Sequence, residues 1–127
     1  MEKATAEMLI AKKLQGEYDK MKVKTVDVES LGFSLELRKP GIQKVLELLD
    51  EAQQDDSTMG NIRFEEKLVY ESCKMLHDKK LMEAFECTEP PDIVLKILDE
   101  NMEELDRLSG IVLGFYGLNE LDDKVKN

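Results

Sequence analysis

Cys73 and His77 are the nearest thing in this chain to a catalytic pair. Four residues apart, they would share one helix face, and an imidazole within reach of a thiol is a common way to activate a nucleophile. The surrounding pattern argues against that use. Cys73 falls in the apolar register of Ile62, Val69 and Leu76, where a thiol behaves as a small hydrophobe. No third residue stands ready to orient the ring. Metal chemistry has less to work with. Structural zinc sites draw four ligands mainly from Cys and His, and Cys73, Cys87 and His77 are spaced unlike any such site. The run DEAQQDDSTMG, residues 50–60, offers Asp50, Asp55 and Asp56 but lacks the alternating ligands of a calcium loop. Neither GxxxxGK nor GxGxxG occurs, so the known phosphate loops are missing. Glu100, Glu103 and Glu104 are neighbours, yet nothing apolar surrounds them to lift a carboxyl into the range of a general acid. The chain is therefore expected to be no enzyme, with no catalytic residue, no cofactor and no metal.

The elements that would carry these residues follow from periodicity. Residues 2–20 read as a helix whose apolar face holds Met8, Leu9, Ala11 and Leu14, with Lys12, Lys13 and Lys20 off it and Gly16 weakening its end. Val26 and Val28, then Phe33, Leu35 and Leu37, alternate with polar residues, which predicts a hairpin over 23–39 turning at Gly32 and stopped by Pro40. A lone hairpin is marginal in water, so its apolar face must lie on helices. A helix follows over 42–53, then a polar loop over 54–61, then a helix over 62–77. Asp78 to Lys80 interrupt the pattern before a short helical piece to Glu86. Pro90, Pro91 and Asp92 suit the entrance of a helix over 91–109. The expected fold is α+β: one domain over 1–127, mostly helical, with an N-terminal β-hairpin packed on helices. Its parts are an N-terminal helix 2–20, a hairpin 23–39, a helical body 42–117 and a flexible polar tail 118–127. The expected core is Val26, Val28, Phe33, Leu35, Leu37, Val45, Leu49, Leu68, Val69, Cys73, Leu76, Val94, Leu98, Leu105 and Leu108.

Composition narrows the partners. The 127 residues suit one core. With 28 acidic and 18 basic residues the formal charge is −10, which repels phosphate backbones and excludes nucleic acid as the expected partner. Residues 1–24 hold six lysines and four acids, a net of +2, so the remainder carries −12. A basic arm on an acidic body can hold a charged partner or close on its own protein. No run of 18 apolar residues predicts a membrane span. The start MEKATAEMLIAKKLQ is unlike a secretory signal, and two unframed cysteines fit reduced thiols, so a cytoplasmic location is expected. The segment IVLGFYGL, residues 111–118, has two readings. It docks as a last helical turn, or it is an apolar end that engages a partner helix. The second makes Leu113, Phe115, Tyr116 and Leu118 candidate partner-binding residues.

Several strings, taken in order, carry a family resemblance. KKLQ leads into VESLGFSLELRK, then KVLELLDE, LVYESCKML, CTEPPDIVLKILDENMEEL and a GFYG close. Over roughly residues 9–118 this collinear set resembles the tail assembly chaperones of long-tailed phages and prophage-like elements, the XkdN-like group. The resemblance implies a non-catalytic protein that binds the helical tape-measure protein in the bacterial cytoplasm during virion morphogenesis, in several copies, and is missing from the mature particle. It also implies the shorter of two translational forms. The competing expectations are a small acidic adaptor or inhibitor, and a minor structural component of the tail.

Overall fold

In a computed structural model, which describes residues 1–118, the chain forms seven α-helices, two short 3-10 turns and one antiparallel hairpin. The α+β class expected from the sequence is the one observed. Strand β1 (Val23–Val28) pairs with β2 (Phe33–Arg38), with Val26 opposite Leu35 and Val28 opposite Phe33. Gly32 closes the connection at φ 79°, and its N–H donates to the Val28 carbonyl at 2.9 Å; a side chain is strained in that backbone state. One face of the ribbon meets the helices: Val28, Leu35 and Leu37 are buried. Two helical side chains satisfy carbonyls of the ribbon. Arg107 donates to the Asp27 oxygen at 2.8 Å, and Ser72 donates to the Arg38 oxygen at 2.6 Å. Each covers part of an edge that would otherwise be open to pairing.

Phe33 corrects the expected core. It lies on the inward side, opposite Val28, but it sits beside the turn and is 73% exposed. Its register partner Val28 is buried, so at this level the helical layer covers β1 and not β2. At the other end of the same face Lys24 replaces an apolar residue, and its ammonium lies 5.3 Å from the centre of the Phe115 ring. Val26 is half-buried against the core. The other thirteen expected core residues are buried, in one cluster that also takes in Leu48, Ala52, Phe64, Ile93, Val112 and Leu113.

The helical body is built around α4 (Thr58–Ser72), which packs on α3 (Ile42–Gln54), α6 (Ile93–Ile97) and α7 (Met102–Gly114). The loop expected over 54–61 shrinks to residues 55–57, because Ser57 caps α4: its hydroxyl accepts the Gly60 N–H at 3.0 Å. Gly60 is buried where α3 hands over to α4. A Cβ there would sit 2.2 Å from the Asp55 backbone oxygen. Helix α4 ends at Cys73, a 3-10 turn covers Lys74–His77, and Asp78 caps α5 (Lys79–Ala84) through the Leu81 N–H.

The helix expected over 91–109 is two helices. After a 3-10 turn at Pro90–Asp92, α6 stops at Ile97, and Asp99 and Glu100 take φ of 51° and 60°. The Glu100 N–H reaches back to the Leu95 oxygen at 2.8 Å and Asp99 N–H to Lys96 oxygen at 3.2 Å, a Schellman-type ending. Asn101 then caps α7 by accepting the Glu104 N–H at 3.0 Å. The same ending recurs after α5 with Glu86 at φ 54°, and after α7 with Gly117 at φ 70°. After α5 it is reinforced by Lys96, whose ammonium donates to the Phe85 and Glu86 oxygens at 2.8 and 3.1 Å. Among the described residues no helix is long and apolar enough to cross a membrane.

Candidate partner-binding surface

The N-terminal helix expected over 2–20 is a bent pair, α1 (Ala6–Leu14) and α2 (Glu17–Lys20), hinged at Gly16 with φ 74°. The Thr5 hydroxyl caps α1 by accepting the Met8 N–H at 3.2 Å, Glu7 lies in its first turn, and Lys12 and Lys13 lie in its last. Every one of those placements favours a helix with no help from packing. That matters because α1 and α2 bury no residue at all. Met8, Leu9, Ile10, Leu14, Tyr18 and Met21 are all exposed, with Ile10 at 58% and Leu14 at 82%. Leu9, Ile10 and Tyr18 line one shallow groove with Lys13, Asp19 and Lys22. Lys12 of α1 lies 5.3 Å over the Tyr18 ring of α2, which braces the two short helices, and Lys22 lies 3.8 Å from Asp19 at the end of α2.

On the 100° wheel of an α-helix, Ala6, Ile10 and Leu14 follow one another at i, i+4 and i+8, with Leu9 alongside. This corrects the face expected from the sequence: Met8 and Ala11 fall away from the row, and Lys13, expected off it, stands between Leu9 and Ala6 inside the apolar stripe. The arm thus presents apolar area with a cation embedded in it. A small protein seldom leaves so contiguous an apolar face uncovered unless something docks there.

The expected apolar end at 111–118 lies elsewhere. Leu113 is fully buried in the core, so it cannot offer its side chain to a partner in this fold. Phe115, Tyr116 and Leu118 are half-buried and pack against the same core. The Leu118 N–H closes onto the Leu113 oxygen at 3.0 Å, the Tyr116 hydroxyl donates to the Pro40 oxygen, and Lys39 covers the Tyr116 ring at 4.8 Å. The docked reading of this segment describes it. The polar tail expected over 118–127 lies outside the described residues beyond Leu118.

Nor do the other candidate groups form a reactive constellation among the described residues. Cys73 is buried, and burial pushes its thiol above the usual range. The His77 ring stacks on Tyr70 with centroids 4.1 Å apart, and its Nε2 lies 2.8 Å from the Tyr70 oxygen. No group of three or more Cys, His, Asp or Glu among the described residues is placed to hold a metal. Asp55 is engaged by the Ser57 hydroxyl and N–H at 2.5 and 3.2 Å, which lower its pKa. One unusual acid does emerge. Glu66 on α4 is buried, and its pKa is raised to about 7, chiefly by burial and then by Asp92, with Arg63 opposing. It faces the 3-10 turn at Pro90–Asp92, which Arg63 clasps through Glu89 at 2.6 Å. No signal in the sequence marked it, since burial of one acid on a helix is not written in its neighbours.

Set against known proteins, the chain matches no family model, no curated protein and no solved structure.

Proposed function

We propose that this chain is a non-catalytic phage tail assembly chaperone that binds the tape-measure protein in the bacterial host cytoplasm and keeps it soluble until the tail tube forms. The observation that carries the reading is the uncovered apolar face of α1 and α2, mounted on a body of opposite charge. Tape-measure proteins are long, helical chains, and an amphipathic helix left in water aggregates through its apolar side. A short helix pair with Leu9, Ile10 and Leu14 outermost can cover such a side by helix-to-helix packing. The acidic remainder, at −12, then faces solvent and keeps the complex apart from its neighbours. Three methionines lie in or beside the arm, Met1, Met8 and Met21. They give a surface able to fit successive, unequal stretches of one partner. Copies bound side by side along one chain gain from its high effective concentration.

Co-expression tests the proposal. The tape-measure protein encoded with this chain is expected to be insoluble alone and soluble with it, in a complex whose mass gives several copies. A tape-measure protein that stays soluble and unbound without this chain ends the reading.

A further inference from the structure

The body carries a second uncovered apolar stripe, and its chemistry is the complement of the arm. Helix α3 buries Val45, Leu48, Leu49 and Ala52, yet Ile42 and Leu46 are turned outward and are 46% and 50% exposed. Asp50 continues the same row one turn on, so the stripe runs Ile42, Leu46, Asp50 at i, i+4 and i+8. The arm's stripe runs Ala6, Ile10, Leu14 at the same spacing, with Lys13 embedded in it. Neither Lys13 nor Asp50 has an ion-pair partner among the described residues. Helix α3 carries three acids against one lysine, whereas residues 1–24 carry a net of +2. An apolar row interrupted by a cation and an apolar row interrupted by an anion bury each other without stranding a charge. Within one chain both rows remain open.

We infer that the α1–α2 arm of one copy docks on the α3 outer stripe of a second copy, with Ile10 and Leu14 against Ile42 and Leu46 and Lys13 beside Asp50. The two patches differ, so each contact joins the arm of one copy to α3 of another; two copies that exchange both contacts close as a two-fold pair, and copies that do not close run head-to-tail into a ring or a short filament. Two short helices bury less area than a stable interface needs, so the assembly is weak and grows with concentration. The inference does not depend on what else the arm binds; a tape-measure helix would compete with α3 for the same side chains.

The test uses the full chain and two variants, Leu14→Asp in the arm and Leu46→Lys on α3. Both positions are exposed, and unchanged thermal melts check that the fold is kept. By light scattering, the wild-type mass rises above the 14.6 kDa of one chain as concentration rises. Each variant alone stays at the single-chain mass. Mixed together they form a pair and stop there, because only the intact arm of one and the intact α3 of the other remain. A wild type that stays single at every concentration overturns the inference, as does a mixture that fails to pair. Retained tape-measure binding by Leu46→Lys, in either case, keeps the proposed function separate from this result.

Discussion

Replacing Glu66 by glutamine should make the protein more stable at neutral and alkaline pH, and the gain can be worked from its surroundings. Glu66 is buried beside Asp92 and Glu89, and the folded chain holds its proton up to about pH 7 against an ordinary value of 4.5. Below 4.5 the group is protonated in both folded and unfolded chains and contributes nothing. Between 4.5 and 7 the unfolded chain releases the proton while the folded chain keeps it, so stability falls as pH rises. Above 7 the folded chain carries a buried carboxylate at full cost. At about 1.4 kcal/mol per pH unit, that cost is about 3 kcal/mol. Glutamine fills the same space and cannot ionise. Urea unfolding of the wild type and Glu66→Gln, from about pH 5 to about pH 8.5, reads the difference directly. The stability difference should grow by about 2.5 kcal/mol in favour of the variant across that window, part of the cost being already present at pH 5. A difference that is flat with pH refutes the assignment, because packing or hydrogen-bond effects of the substitution do not titrate.

Gly60→Ala should destabilise by about 1–3 kcal/mol in the same assay, since its Cβ meets the Asp55 backbone oxygen rather than a side chain that can swing away. Glu86→Gly should raise stability by up to about 1 kcal/mol, because Glu86 holds a left-handed backbone that glycine adopts without strain. Leu113→Ala should cost about 2–5 kcal/mol as a fully buried leucine; a neutral result would mean that residues 111–118 leave the core.

The sequence made the body legible where one face of an element is apolar over its whole length. Helix α3 was placed to within a residue, because Val45 and Leu49 repeat at helical spacing between Pro40 and a polar stretch. It misled where a pattern outlasts the element. Val94, Leu98, Leu105 and Leu108 keep helical spacing straight through the break at Asp99 and Glu100. Left-handed residues that are not glycine carry no mark in the sequence. The start of α4 was hidden for the opposite reason. Ser57, Met59 and Gly60 look like loop residues, but Ser57 is a cap and Gly60 is a packing contact. Phe33 has the correct strand parity and the wrong depth, because alternation says which side a residue faces and not where the opposing layer ends. The candidate surface was half visible. An amphipathic start at residues 2–20 was plain, but its face was misjudged, since Ala6, Ile10 and Leu14 rather than Met8 and Ala11 form the row and Lys13 lies within it; whether such a row closes on its own body is a tertiary fact.

Hydrogen exchange on the full chain, free and with the tape-measure protein bound, tests the central claim most directly. Backbone amides of residues 6–21 lie in short, wholly exposed helices, so they should exchange quickly in the free chain. Binding should slow them strongly while residues 111–118, already docked, change little. Protection that appears elsewhere and leaves residues 6–21 exchanging as before would contradict a chaperone that grips through its N-terminal arm.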